Sequence, residues 1–111
     1  MKVQKVSGEV FRIEEVAGLD PIHVVIQDVA PGKGRIILEC YGQAWSAFWP
    51  AMGNWGVAEF FENAGAEYLL GCLLPPLPVR PRAEKRYEGY LLKIIGAVQE
   101  ALREAPRKDG P

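Results

Sequence analysis

The sequence predicts an α+β domain in which an antiparallel β-meander of three to four strands precedes short aromatic-rich helices and a long C-terminal helix packed on the sheet. Three observations support this order. Residues 22–28 and 35–41 are rich in branched apolar residues on either side of a Pro-Gly-Lys-Gly segment, which is typical of a hairpin. After Gly42 the apolar period changes from two to about 3.6. Helical spacing returns over residues 82–104.

The first strand is predicted at residues 10–16, after Ser7-Gly8. A fourth strand forms only if residues 2–6 also pair. The register of the hairpin follows from its apolar pattern, because a slip of one residue would turn every side chain to the other face. The pairing that gives one wholly apolar face joins Ile22 to Cys40, Val24 to Leu38 and Ile26 to Ile36.

The opposite face of this hairpin mixes apolar and polar side chains. Its predicted pairs are His23 with Glu39, Val25 with Ile37, and Gln27 with Arg35. Such a mixture is typical of a surface that another protein covers. The candidate occupants are a partner protein, a second copy of the chain forming a homodimer, or the chain's own residues 2–16. The predicted binding residues on this face are Val25, Gln27, Arg35 and Ile37.

An aromatic helix is predicted directly after the hairpin. Apolar residues at i, i+3, i+4 and i+7 indicate one buried helical stripe, made of Trp45, Phe48, Trp49 and Met52. Pro50 lies inside the pattern and should kink the helix or end it near Trp49.

A second short helix is predicted from a stripe formed by Val57, Phe60, Phe61 and Ala64. Asn54 is its predicted N-cap and Gly65 its stop. Trp55 stands between Asn54 and Gly56 at the helix entrance. We expect its ring to be partly exposed and available to a partner. Residues 66–74 should add another helical turn or two.

The C-terminal third begins with a proline-rich segment, residues 75–81, which is predicted to run as an extended connector. It has the P-x-x-P-x-R form of a polyproline ligand, but a stiff linker is the favoured interpretation. Pro81 is well placed at the first position of the final helix. The predicted organisation is one domain over residues 1–105 and a flexible tail at 106–111.

Composition limits the classes of partner. The chain has 13 Lys and Arg against 14 Asp and Glu, a net charge of −1, so no global attraction to nucleic acid or membrane is expected. A local basic cluster remains as a candidate contact, formed by Arg80, Arg82, Lys85 and Arg86. The N-terminus has no signal-peptide pattern, and no apolar run is long enough to span a bilayer. The prediction is a soluble cytoplasmic protein without a membrane partner.

No catalytic, metal or cofactor site is predicted. His23 and Cys40 should lie on opposite faces of the hairpin, whereas a thiol nucleophile needs its base within hydrogen-bond reach. The glycine-containing turn at 31–34 is followed by a strand instead of the helix of a nucleotide-binding loop. Cys40 and Cys72 lack partners at zinc-site spacing and are predicted to be small apolar core residues.

The aromatic block also carries a distinctive residue pattern. Residues 40–53 read C-Y-G-x-A-W-x-x-F-W-x-x-M-G, with Glu-Phe-Phe at 59–61 and Glu-Tyr-Leu at 67–69. A Tyr-Leu-x-x-Ile-x-x-Ala-Val run follows at 90–98. Through these motifs the chain resembles a group of short proteins encoded in tailed phages and in prophages of Gram-negative bacteria. The sequence departs from that pattern at Pro50, where glycine is expected.

The resemblance implies a small accessory protein of the bacterial cytoplasm that acts by binding a host or phage macromolecule, without enzymatic activity and without a family active site. An alternative is a nucleic-acid-associated protein that uses the cluster from Arg80 to Arg86, whose affinity would fall steeply with salt. A third hypothesis is a small-molecule enzyme or sensor with a pocket near Trp45, Trp49 and Trp55. The sequence offers no convergent polar groups for such a pocket.

Overall fold

A computed structural model describes residues 1–74 and 84–104. Within these residues the chain forms one antiparallel sheet of four strands in the order β1-β2-β3-β4, followed by three helices. This confirms the predicted α+β class. The elements are β1 (Glu9–Ile13), β2 (Ile22–Ala30), β3 (Lys33–Cys40), β4 (Gln43–Trp49), α1 (Val57–Asn63), α2 (Ala66–Leu73) and α3 (Glu84–Glu104).

The β2–β3 hairpin has the predicted register, from Ile22 opposite Cys40 to Gln27 opposite Arg35. Its turn is Pro31-Gly32, and Gly32 has the positive φ of 70° that the third position of a type II turn requires. A bulge between Asp28 and Ala30 shifts the register just before this turn. The alternation of branched apolar and polar residues was therefore a sufficient signal for the pairing.

The prediction of an aromatic helix after Gly42 was wrong. Residues Gln43–Trp49 form strand β4, which pairs with β3 from Cys40 opposite Gln43 to Gly34 opposite Trp49. Trp45, Ala47 and Trp49 point inward at a period of two, whereas Phe48 is 48% exposed on the other face. Pro50, which did not fit a helix, follows the last residue of the strand, where its missing N–H costs nothing in the ladder.

The N-terminal strand is shorter than predicted and begins one residue earlier. β1 spans Glu9–Ile13 and pairs with β2, with Val10 opposite Val25. Residues 2–6 form no strand, so the fourth strand of the sheet is β4 and not the N-terminal segment. Glu15 has a φ of 62°, which ends the extended conformation after β1 and turns the chain towards β2.

The second aromatic stripe forms helix α1 as predicted, with Val57 and Phe61 buried. Its predicted N-cap, Asn54, was wrong, because the capping position is Gly56, which offers no side chain. The carboxylate of Asp28 takes the role instead, since Oδ1 accepts a 2.8 Å hydrogen bond from the Val57 N–H. Gly65 begins α2 instead of ending α1.

The core lies between the inner face of the sheet and the three helices. α3 contributes a row of fully buried side chains, each at most 1% exposed, consisting of Leu91, Ile94, Ile95, Val98 and Leu102. Near its N-terminal end α3 contacts β4, because Trp45 Nε1 donates a 2.6 Å hydrogen bond to the Tyr87 hydroxyl. The C-terminal helix therefore packs on the sheet, as the sequence predicts.

Some predictions fall outside the described residues. These are the extended connector at 75–81, the helix start at Pro81 and the flexible tail at 106–111. In the described part of the chain, no helix has the combination of length and apolar character that crossing a membrane requires.

Candidate functional site on the outer sheet face

The outer face of the sheet, which the helices leave uncovered, carries three rows of side chains that cross the strands. The central row is apolar except at its end, and strand pairing aligns Val10, Val25, Ile37 and Ser46. On one side lies the His23 row, made of Arg12, His23, Glu39 and Ala44. On the other side lies the Arg35 row, made of Gln27, Arg35 and Phe48. An apolar stripe thus lies between two polar ones.

Much of the central row is open to solvent. Val10 is 71% exposed and Ile37 is 36% exposed, whereas Val25 between them is half-buried. The N-terminal segment does not cover this row. It approaches only the Arg35 row, where the Ser7 carbonyl accepts a 3.4 Å hydrogen bond from Gln27 Nε2. Residues Glu9–Ile13 of this segment pair at the sheet edge as β1 and thereby add Val10 to the apolar stripe.

The polar rows are internally paired. His23 Nδ1 lies 2.9 Å from Glu39 Oε1, and the other oxygen of that carboxylate accepts a 2.7 Å hydrogen bond from the Gly42 N–H. In the Arg35 row, the Arg35 guanidinium donates to Gln27 Oε1 at 3.1 Å and lies 5.5 Å from the centroid of the Phe48 ring. These contacts join the polar side chains within each row, beside the apolar stripe.

Tyr41, which the sequence analysis missed, stands at the tip of the β3–β4 turn beside the His23 row. Its φ is 52° and that of Gly42 is 86°, the two positive values of a type I′ turn. Asn is much better than Tyr in this conformation. The Tyr41 ring is 81% exposed and so gains little from burial. Tyr41 is therefore a strained and exposed aromatic residue at the end of the sheet next to the His23 row.

The other predicted site residues are dispersed. Trp55 is 43% exposed, as expected, and its ring packs edge-on against Phe60 at a centroid distance of 6.3 Å. Arg86 is exposed on the first turns of α3, whereas Arg80 and Arg82 lie outside the described residues. Trp55 is not part of the three rows, and the structure does not bring it together with Val25, Gln27, Arg35 and Ile37.

His23 and Cys40 lie on opposite faces of the sheet, as the hairpin register predicts. His23 points outward, whereas the Cys40 thiol is buried on the inner face and receives a 3.4 Å hydrogen bond from the Tyr90 hydroxyl. That hydrogen bond, together with burial, raises the pKa of Tyr90 to about 12, so this hydroxyl stays protonated. No three His, Cys, Asp or Glu side chains are placed to hold a metal ion within residues 1–74 and 84–104.

Comparison with known proteins gives one match. A family profile named Phage_phiTE_072, described as a phage family, matches residues 1–82. This range covers the whole sheet, α1 and α2. No curated protein matches the chain, and no solved structure does. Because the match covers well over half of the 111 residues, the chain belongs to this phage protein family.

Proposed function

We propose that this phage-type protein acts in the host cytoplasm by binding a protein, of host or phage origin, through the outer face of its sheet, without catalysing a reaction. The observation that carries the proposal is the exposed central row between two polar rows. Val10 and Ile37 remain exposed although the fold offers an inner face that buries such residues almost completely. Exposed apolar side chains rimmed by polar ones are characteristic of a docking surface.

The composition of the surface indicates how a partner would be bound. The apolar row supplies the area that is removed from water, and the flanking polar rows carry both signs of charge. Arg35 on one side and Glu39 on the other can each be met by an opposite charge on the partner, which would fix its orientation. Tyr41 and Phe48 are exposed aromatic residues, the type that contributes most to binding energy at interfaces.

The size of the face also matters. Four strands about 4.8 Å apart and three rows about 7 Å apart give a flat area of roughly 350 Å². A standard protein interface buries about 800 Å² on each partner. A partner that covers the rows must therefore also contact their surroundings, and Tyr41 at the turn is a suitable neighbour.

The central row is tested by replacing Val25 and Ile37 with Lys in a tagged protein. We expect the double variant to fold normally, because both side chains lie on the outer face, and to lose the proteins that the wild type captures from host lysate. Two new ammonium groups in the apolar row would have to be desolvated on docking. The measurement is quantitative mass spectrometry of matched pulldowns, with circular dichroism of each variant.

The matched control is the double variant Gly71→Lys and Gly96→Lys, which adds the same charge at two exposed helix positions where an added side chain meets no neighbour. It should capture the wild-type set. Equal capture by both double variants would contradict the proposal, as would unfolding of the Val25 and Ile37 variant. Capture that disappears after nuclease treatment would instead support nucleic-acid binding through the basic cluster that includes Arg86.

Tyr41→Asn tests the turn residue. Asn is the preferred residue at this position of a type I′ turn, so the variant should be more stable than the wild type by about 0.5–1 kcal/mol. If Tyr41 contacts the partner, the same change should weaken capture. Thermal denaturation and the pulldown measure the two effects separately. A less stable variant, or one with undiminished capture, would show that Tyr41 is not held in a strained conformation for binding.

A further inference from the structure

The two edges of the sheet differ in how they are protected. β1 is five residues long and contains Glu9 and Arg12. Short length and charge are devices by which proteins keep an edge strand from pairing with other chains. β4, at the other edge, is seven residues long, and its sequence Gln-Ala-Trp-Ser-Ala-Phe-Trp contains neither a charge nor a proline. Its ladder with β3 is regular from end to end.

The hydrogen-bonding groups on the free edge of β4 can be assigned from the turn. A two-residue hairpin closes on a hydrogen-bonded pair, here Cys40 and Gln43. Hydrogen-bonded pairs then alternate along the ladder, so the odd-numbered residues of β4 bond to β3. The N–H and C=O groups of Ala44, Ser46 and Phe48 consequently point away from the sheet.

No other strand of the described residues lies beyond β4. Beside this edge, Leu73 of α2 and Tyr87 of α3 line a groove together with Ala44, Trp45 and Ser46. Trp49 Nε1 donates to the Tyr68 hydroxyl of α2 at 3.2 Å, and Trp45 contacts Tyr87 of α3. These contacts hold the inward side chains of β4, and its unbroken ladder with β3 keeps the strand in the extended conformation that pairing with a further strand requires.

We propose that β4 pairs with β4 of a second copy, antiparallel and about a two-fold axis at Ser46, so that two sheets join into one. A second copy is inferred as the partner because the side chains of β4 are complementary to those of another β4. An antiparallel pairing centred on Ser46 sets Phe48 opposite Ala44 of the second copy, and Trp45 opposite its Ala47. These two large side chains thus meet small ones on the same face, Trp49 faces the uncharged Gln43, and no charge is brought near a like charge.

The backbone hydrogen bonds are consistent with the same two-fold axis at Ser46. Ser46 would pair with Ser46 of the second copy, and Ala44 with its Phe48, which uses every outward-pointing group of the strand. About six hydrogen bonds result, two for each of three pairs. Pro50, which has no N–H, lies just beyond the paired segment and marks its end.

The joined sheet would have a functional consequence that the single copy lacks. The central rows of the two copies meet end to end at Ser46, so the outer face becomes about twice as wide. This pairing does not depend on the proposed binding of a host or phage protein, because it uses the strand edge and not the outer face.

Two measurements on the full chain test the pairing. Analytical ultracentrifugation from about 1 μM to about 1 mM should show a reversible dimer, a range that detects even weak association. Amide exchange by NMR should show that the N–H groups of Ala44, Ser46 and Phe48 exchange at least about tenfold more slowly at the high concentration. The N–H groups of Trp45 and Ala47, which bond to β3, should be protected at both concentrations.

Ser46→Lys is the decisive variant, because it places two ammonium groups opposite each other at the two-fold axis. Ser46 is exposed, so the monomer should keep its fold, and dimerisation should weaken at least about tenfold. Ser46→Thr, which keeps the strand uncharged, is the control and should dimerise as the wild type does.

Three results would overturn the proposal. The first is a monomer at all concentrations. The second is protection of the three outward amides that does not change with concentration, because the chain would then cover its own edge. The third is a dimer that Ser46→Lys leaves intact but Val25→Lys abolishes, which would place the second copy on the outer face. Undiminished lysate capture by the Val25 and Ile37 double variant would count against the proposed function only.

Discussion

Deletion of α3 by truncation before Pro81 should abolish the native fold. The helix supplies five side chains that are at most 1% exposed, Leu91, Ile94, Ile95, Val98 and Leu102. At roughly 1.5–3 kcal/mol for each buried side chain, their loss removes roughly 7–15 kcal/mol. This equals the whole stability of a typical domain, about 5–15 kcal/mol. A four-stranded sheet with its apolar face uncovered should aggregate or remain molten.

Near-ultraviolet circular dichroism and sedimentation of the truncated chain measure this outcome. Full-length Gly96→Ala is the control, because Gly96 is exposed and an added methyl group there meets no neighbour. That variant should fold and be as stable as the wild type or somewhat more stable. A truncated chain that stays monomeric with native near-ultraviolet bands would show that α3 is an appendage to an independent core.

Replacement of either inward tryptophan of β4 by Ala should destabilise the protein by roughly 3–5 kcal/mol. Trp45 is 4% exposed and Trp49 is 7% exposed. Each also donates a hydrogen bond from Nε1, to Tyr87 and to Tyr68 respectively. Each substitution would therefore leave a cavity and a tyrosine hydroxyl without its donor. Denaturant unfolding at equilibrium gives the free energy directly.

Trp55→Ala is the matched control for these substitutions. The Trp55 ring is 43% exposed and its stacking partner, Phe60, also contacts Trp49 and Tyr68. We expect a loss of less than about 1.5 kcal/mol. Wild-type stability of both inward variants, or a loss at Trp55 as large as at Trp49, would mean that the aromatic residues of β4 do not form the core.

The sequence predicted the register of the β2–β3 hairpin correctly, because one physical constraint decided it, although the strands extend further towards the turn, to Ala30 and Lys33, than predicted. Only one register pairs Ile22, Val24 and Ile26 with apolar residues on the same face. The free energy gained by burying that face favours this register over the others. α3 was predicted almost as well, since an apolar stripe over about six turns has no competing interpretation. Where the apolar residues fitted only one spacing, that of a strand or that of a helix, the predicted element agreed with the structure.

β4 shows where such reasoning fails. Trp45 and Trp49 are four residues apart, a spacing that places them on one face of a helix and equally on one face of a strand. Phe48 and Met52 completed the helical pattern by coincidence, although Phe48 faces solvent. Pro50 and the Tyr41-Gly42 dipeptide are compatible with a strand after a tight turn, but Tyr-Gly is a weaker hairpin signal than Asn-Gly.

The outer face was predictable in part. The pairing of Val25 with Ile37 and of His23 with Glu39 followed from the hairpin register. Val10 could not be placed on this face, because no register was predicted for the first strand. Ser46 and Phe48 could not be placed there either, because their segment was predicted as a helix. Tyr41 was missed for a different reason, since backbone strain becomes visible only once the turn geometry is known.

The hydrogen bond from the Val57 N–H to Asp28 Oδ1 ties the start of α1 to a strand almost 30 residues earlier. α1 has only seven residues and its capping glycine offers no side chain. In water, isolated helices shorter than about 12–15 residues are marginal. The first turn of α1 therefore depends on a carboxylate that is in position only after the β2–β3 hairpin has closed. In folding, nucleation of this helix is a tertiary event, and its population rises and falls with that of the hairpin.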